Sequence, residues 1–311
     1  KQMNQKYLKL RELCRCWQKL RGDMTRTAVR MYSRLIIVNP EFRSYFSESP
    51  CPSGIFILEN YPLPGMLADE DTEKLQKQLY NLANGFGKQD TAERIIKLAK
   101  ETFAVKEDIE GYLRYIQYQL EEYKFLREKV SDIRKEIRKE ASKDYCKKEI
   151  ETMEIRGVGI EVRAGILSEL GDIKNFDKIS SIVRFAGMIV LKNQSGKTEG
   201  HSKMSKQGSS YLRNYLHLAA MGAKLHTATF AAVYANKCMK VKDLDPESKR
   251  VARRKLVSNL ARRMLETIAV GLMKNRLFND KIAFEAIQID DFIRETISVQ
   301  FKNQLAQSVV Q

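Results

Sequence analysis

The sequence predicts an all-α protein: a long coiled-coil or helical-bundle region over residues 1–150, then a helical domain over residues 151–311 containing a helix-hairpin-helix. Three observations carry this. Apolar residues recur at helical spacing along most of the chain, one stretch keeps a seven-residue repeat, and glycines and small residues appear abruptly near Thr152. No internal repeat or low-complexity tract is found.

The first helix is expected from about Tyr7 to Val38, where Leu8, Leu13, Trp17, Leu20, Val29 and Leu35 follow helical spacing and Pro40 stops the pattern. Pro50, Pro52, Gly54, Pro62, Pro64 and Gly65 then bracket Ile55-Phe56-Ile57-Leu58, which reads as a connecting segment with one buried anchor. Two shorter helices are expected over Asp69–Leu82 and Asp90–Thr102. From Lys106 to about Ile150 a long charged helix follows. Ile109, Ile116, Tyr123, Val130 and Ile137 recur every seven residues, with Leu113, Leu120, Leu126 and Ile133 between them. That period specifies a left-handed coiled coil or a long helix pair. Its partner is the first helix, a second subunit, or both; the reading adopted takes the coil as a dimer contact, with a bundle inside one chain as the alternative.

Beyond Thr152 come Gly157, Gly159, Gly165, Gly171, Gly187, Gly196, Gly200 and Gly208. Ile155-Arg156-Gly157-Val158-Gly159, followed by Val162, Ile166 and Leu170, has the order helix, Gly-hydrophobic-Gly, helix. Glycines at such a corner let the backbone turn tightly and aim amides, with the next helix N-terminus, at a phosphate. An ordinary helix corner shares the pattern. Gly171-Asp172-Ile173 ends the second helix, and Phe185-Ala186-Gly187 ends another. From Gly187 to Arg213 there is little apolar periodicity before Tyr211, so an extended or looped stretch is expected, with a turn at Gln194-Ser195-Gly196. Ser209 or Ser210 caps the helix that follows. Asp245-Pro246, a cap followed by proline, opens a last long helix with Val251, Val257, Leu260, Met264, Leu265 and Ile268 on its buried face.

Length and composition bound the function. The 311 residues suffice for two domains, and 43% hydrophobic with 30% charged residues is the balance of a globular chain. The longest apolar run, Phe185 to Leu191, is far shorter than the roughly 20 residues needed to span a bilayer. Lys1 to Asn4 hold no apolar h-region, so a secretory signal is not expected; the missing initiator methionine points to a fragment. Five scattered cysteines (Cys14, Cys16, Cys51, Cys146, Cys238) read as reduced thiols in a cytoplasm. No second Cys/His pair at ligand spacing accompanies Cys14 and Cys16, and His201, His217 and His226 are distant, so no metal site is expected.

The net charge of +16 favours a densely anionic partner. The excess is uneven. Between Lys178 and Lys242 the sole carboxylate is Glu199, while Lys192, Lys197, Lys203, Lys206, Arg213, Lys224, Lys237 and Lys240 lie in that window. A solvated face interleaves both signs, so this one reads as phosphate-facing. Candidate nucleic-acid contacts are Gly157, Gly159, Lys192, Lys197, His201, Lys203, Ser205, Lys206, Gly208 and Arg213, with a second strip of Arg250, Arg254 and Arg262 on the last long helix, Arg253 and Arg263 beside it. A serine that attacks a DNA phosphodiester needs an accessible hydroxyl, nearby cations and freedom from a packed core. Ser195, flanked by glycine and lysines, meets those needs; Ser205 and Tyr211 are rivals, and a plain turn explains Ser195-Gly196 without chemistry.

Taken in order, Ile155-Arg156-Gly157-Val158-Gly159, Leu167-Ser168-Glu169-Leu170-Gly171-Asp172, Phe176, Phe185-Ala186-Gly187, Gln194-Ser195-Gly196-Lys197, Gly200-His201, Ser205-Lys206-Gln207-Gly208 and Tyr211-Leu212-Arg213 resemble the C-terminal domain of the insertion-sequence-110 family of transposases, related to the Piv-type DNA invertases. The resemblance covers roughly residues 150 to 275, and the region before it is similar to the family's coiled-coil segment. It implies a DNA transposase or recombinase that cleaves and joins strands through a phosphoserine. Ser195 would be the nucleophile, the alternative being a non-catalytic helix-hairpin-helix scaffold. It implies as partners DNA (element ends and target), a structured guide RNA encoded by the element, and other copies of the chain in a dimer or tetramer. It also implies a location at the bacterial nucleoid, with no membrane partner. No cofactor is expected in this chain; magnesium is expected on four acidic residues of a RuvC-like N-terminal domain that would precede Lys1. On that reading the chain by itself binds nucleic acid without completing strand exchange. Two positions depart from the family pattern: Arg156 stands where a proline is usual, and Met188-Ile189-Val190 replaces the proline after the Phe185-Ala186-Gly187 helix.

Overall fold

A computed structural model describes residues 5–46, 50–83, 90–105, 107–191, 194–195, 198–199 and 203–309. Helices dominate, and the class is all-α. The chain divides into two compact units, one formed by Trp17–Asp132 and the other by Lys1–Cys16 with Ile133–Gln311.

Helix α1 (Leu8–Val38) supplies the start of the Trp17–Asp132 unit, followed by α2 (Phe42–Tyr45), α3 (Pro52–Asn60), α4 (Pro64–Ala68), α5 (Thr72–Leu82), α6 (Thr91–Lys100) and α7 (Glu110–Ala141). The Pro/Gly stretch expected as a connector is helical instead. Pro52 and Pro64 sit in the first turns of α3 and α4, where a missing N–H costs nothing, and the Cys51 sulfur accepts from Gly54 N. Asp71 caps α5 through Lys74 N at 2.8 Å. Ile55, Ile57 and Leu58 join Met31 and Leu35 of α1, Leu75 of α5 and Ile95 of α6 in one core. Ile116, Leu120 and Tyr123 of the seven-residue stripe lie in that same core, so this part of the stripe packs within the chain. The long charged helix also ends earlier than expected, at Ala141, and restarts after Ser142-Lys143.

The second unit contains α8 (Asp144–Thr152), α9 (Ile160–Leu170), α10 (Ile179–Phe185), four two-residue strands, α11 (Ser210–His226), α12 (Ala228–Met239), α13 (Pro246–Lys274), α14 (Asp280–Ala286) and α15 (Asp291–Val309). Helix α11 packs on α9 and α13, and α12 packs on α15. The division does not fall at residue 150. The first turns of α1 belong here because Arg11 Nε donates to Ser168 O at 2.9 Å and Tyr215 Oη donates to Cys14 O. A Cβ on Gly165 would lie 2.5 Å from the Tyr215 ring, so a glycine there lets α9 and α11 meet. Asp280 caps α12, accepting from Ala228 N and Thr229 N at 2.9 Å each. Asp245 caps α13 and Pro246 stands in its first turn, as the sequence predicts. Val257, Leu260, Met264, Leu265 and Ile268 are buried, but Val251 is 48% exposed, because the packed part of α13 begins only at Val257.

Of the extended or looped stretch expected here, the described residues form short extended strands. β1 (Val190–Leu191) pairs antiparallel with β4 (Lys203–Met204), and β2 (Gln194–Ser195) with β3 (Thr198–Glu199). They form two short antiparallel pairs, too short for any period-two signal to show.

Candidate nucleic-acid interface

Helices α8 and α9 flank the turn Met153–Gly159. Gly157 adopts φ +85°, a conformation side chains disfavour, and its backbone rests on α11. Thr227 Oγ1 donates to Arg156 O at 2.7 Å, which ties the corner to the start of α12. Among the described residues no hydrogen bond occupies the amides of Gly157 or Gly159, and both glycines are exposed. Those amides and the α9 N-terminus present donors to solvent.

Sequence reasoning missed the cations beside this corner. Glu161, in the first turn of α9, is buried and accepts from Arg138 Nε at 2.7 Å and Arg134 Nε at 2.5 Å. Burial works to raise this carboxyl, yet the Arg134, backbone and Arg138 hydrogen bonds prevail and hold it below the usual carboxylate range. Both arginines remain half-exposed beside this corner. They lie on α7, a different helix, so only the fold brings them onto α9.

The β-hairpin is anchored at its base by close backbone packing. Gly187 has φ +67°, and a Cβ there would lie 2.8 Å from Gln207 N; a Cβ on Gly208 would strike Phe185 O. Lys206 N donates to Gly187 O at 3.0 Å and Ser205 N to Ile189 O at 2.9 Å. Arg213, expected to face phosphate, instead donates through one guanidinium nitrogen to Gly208 O at 2.9 Å and Ala186 O at 3.2 Å. Ser195 pairs with Thr198, so two residues alone separate it from its cross-strand partner. The backbones of Ser195 and Lys203 are described; their side chains, and Lys192, Lys197 and His201 entirely, lie outside the described residues.

Of the rivals, Ser205 Oγ is buried without a hydrogen-bond partner among the described residues, and Tyr211 is half-buried with the Arg15 guanidinium 4.9 Å from its ring centroid. Ser209 is the N-cap of α11, accepting from Leu212 N at 3.2 Å and donating to Glu169 Oε2 at 2.7 Å. Glu169 is buried, and Arg15 grips it in bidentate fashion at 2.6 and 3.1 Å. Lys206 is exposed with φ +55°.

With this geometry in view, residues 151–235 match the model of the transposase IS116/IS110/IS902 family. That span is similar to the transposases of this family. Its partner is therefore DNA, and the matched span holds the helix corner, the β-hairpin with Ser195, α11 and most of α12. No curated protein matches the chain. No helix among the described residues is long and apolar enough to cross a membrane. The five cysteines are free, and among the described residues no group of three or more His, Cys, Asp or Glu could hold a metal ion.

Within the second unit the expected strip on α13 is redistributed. Arg250 and Arg254 share a cleft with Arg253 and Lys249, whereas Arg262 is drawn aside into an ion pair with Glu266 at 3.0 Å. Nearby on α12, burial and the neighbouring Arg263 and Lys240 push the Lys237 ammonium below the ordinary lysine value.

Proposed function

We propose that this chain serves DNA transposition as the serine-bearing part of a recombinase, with Ser195 as nucleophile. The observation that carries the reading is the place of Ser195, one rung from the tip of a hairpin whose base is locked by Gly187 and Gly208. A hydroxyl carried on a strand above a rigid base is positioned more precisely than one carried on a free loop.

In the proposed reaction the Ser195 Oγ–H loses its proton to a base or water, and Oγ attacks phosphorus. An Oγ–P bond forms as the bond from phosphorus to one flanking deoxyribose oxygen breaks, and that oxygen takes up a proton. A hydroxyl from another strand end then attacks the phosphoserine, restoring Ser195 and a phosphodiester. Lysines of the near acid-free window, Lys192, Lys197 and Lys203 among them, would neutralise the charge on the pentavalent phosphorus. Gly157, Gly159 and the α9 N-terminus would hold duplex backbone without reading sequence. A structured RNA encoded by the element would choose the site, and copies of the chain would assemble into a dimer or tetramer. Magnesium would act from acidic residues of a RuvC-like domain.

The test supplies the protein, guide RNA, magnesium and target DNA, then resolves protein–DNA adducts under denaturing conditions. Wild type forms an adduct and Ser195→Ala does not. An adduct of equal yield from the alanine variant removes Ser195 from its role and leaves a non-catalytic scaffold.

A further inference from the structure

Helix α13 changes character along a single stripe. From Val257 onward the stripe Val257, Leu260, Ala261, Met264, Leu265 and Ile268 is core. Stepping back from Val257 by three and four residues, the same stripe carries Arg254 and Arg253, then Arg250 and Lys249. These cations stand where a bundle helix places leucines, turned toward neighbouring helices. With Lys224 of α11 and Tyr234 of α12 they line a cleft of about 600 Å³.

The lining includes no carboxylate. Among the described residues none of Lys224, Lys249, Arg250, Arg253 and Arg254 forms an ion pair, although other arginines of this unit, Arg15, Arg134, Arg138 and Arg262, all do. Asp245, the N-cap of α13, spends its carboxylate on the amides of Glu247 and Ser248 at 3.1 and 3.0 Å. Lys224 Nζ instead lies 4.6 Å from the Tyr234 ring centroid. Five cations drawn together from two helices with no countercharge repel one another, and the arrangement is relieved by an anion bearing several charges at regular spacing.

We propose that this cleft binds the phosphodiester backbone of a nucleic-acid strand, at a site separate from the Ser195 hairpin. The proposal rests on the nucleic-acid-binding reading above and is independent of the serine chemistry. Its separation follows from helix geometry: Lys224 lies fourteen residues beyond Ser210, so about 21 Å along α11 from the hairpin end at roughly 1.5 Å per residue. Lys249 to Arg254 spans about 7.5 Å of α13, enough for about two successive phosphates at roughly 3.4 Å of rise each. Guanidinium groups suit the task because their paired N–H groups engage two phosphate oxygens at once.

The experiment measures binding of the 311-residue chain to a fluorescent DNA duplex and, separately, to an RNA stem-loop of equal length, between 50 and 200 mM salt. The triple variant Arg250→Gln, Arg253→Gln, Arg254→Gln keeps much of each side-chain stem. Arg127→Ala, Lys129→Ala, Lys139→Ala removes the same charge from exposed positions of α7. The cleft variant should lose at least about tenfold in affinity and shed about 2 from the slope of log K against log salt, since each lost phosphate contact removes roughly 0.9 on duplex. The α7 variant should stay near wild type, Lys224→Gln should show a smaller loss of the same kind, and the triple Arg→Lys variant should recover the slope. Loss confined to DNA, or to RNA, names the strand the cleft takes. A steep wild-type response retained in the cleft variant, or a loss no larger than in the α7 variant, overturns the site alone. A flat wild-type response on both probes overturns the nucleic-acid reading as well.

Discussion

Gly157 and Gly222 meet backbone to backbone: a Cβ built on Gly157 would lie 2.5 Å from the carbonyl oxygen of Gly222. Two glycines distant in sequence thus set how closely the helix corner approaches α11. The corner glycine has a packing duty as well as the conformational one its φ of +85° reveals.

Gly157→Ala should therefore destabilise strongly. A left-handed alanine costs about 1–2 kcal/mol, and overpacking adds about 1–3 kcal/mol. Urea unfolding followed by circular dichroism gives the value; a change under about 0.5 kcal/mol would show that the corner does not press on α11.

Glu161 sets an acid limit. Its carboxyl is held below the reference value of 4.5 despite burial, chiefly by the Arg134 hydrogen bond. A depressed carboxyl contributes its stability in full above the unfolded value and loses it as pH falls through the folded one. Melting temperature should thus fall below about pH 4.5. In Arg134→Ala, Arg138→Ala both arginine hydrogen bonds are lost and the carboxyl moves upward, so the stability that Glu161 loses on acidification shrinks. Parallel melting curves for the two proteins from pH 3 to 7 would refute this.

Thiol reactivity should separate neighbouring cysteines. Burial pushes Cys14 up to about 12 and Cys146 up to about 11, while Cys16 is exposed. At pH 8 only roughly one Cys14 in 10⁴ would be thiolate, against a far larger share for an ordinary exposed thiol. A disulfide reagent should modify Cys16 promptly and leave Cys14 and Cys146 untouched until unfolding, as peptide mapping would record. Prompt native labelling of Cys14 would contradict the packing of α1 onto α9.

Arg213→Ala should loosen the hairpin base. Losing a charged donor shared by Gly208 O and Ala186 O costs about 1–3 kcal/mol. Amide exchange at Ser205 and Lys206 should quicken, since their N–H groups close that base. Unchanged exchange would mean that Gly187 and Gly208 hold it unaided.

Ser209 and Glu169 form a second anchor. Ser209→Ala should cost about 1–2 kcal/mol through the lost α11 cap and the unmade bond to a buried carboxylate. If chemical denaturation finds Ser209→Ala neutral, the cap contributes nothing there.

Much of this protein was legible in residue order, because helices are written locally. Asp245-Pro246 announced the start of α13, Gly171 and Gly187 the ends of α9 and α10, and the acid-poor window the anionic partner; each signal acts within a turn or two of chain. The β-hairpin was not legible, since two-residue rungs carry no period and are held by Gly187 and Gly208 meeting segments some twenty residues away. The recruitment of α1's first turns beside α9, the gathering of Arg134 and Arg138 on Glu161, and the choice of Arg253 rather than Arg262 as companion to Arg250 and Arg254 were decided by tertiary packing. A helix places its own side chains by a fixed angle, but which of them face a neighbour, and with what charge opposite, depends on residues on other helices.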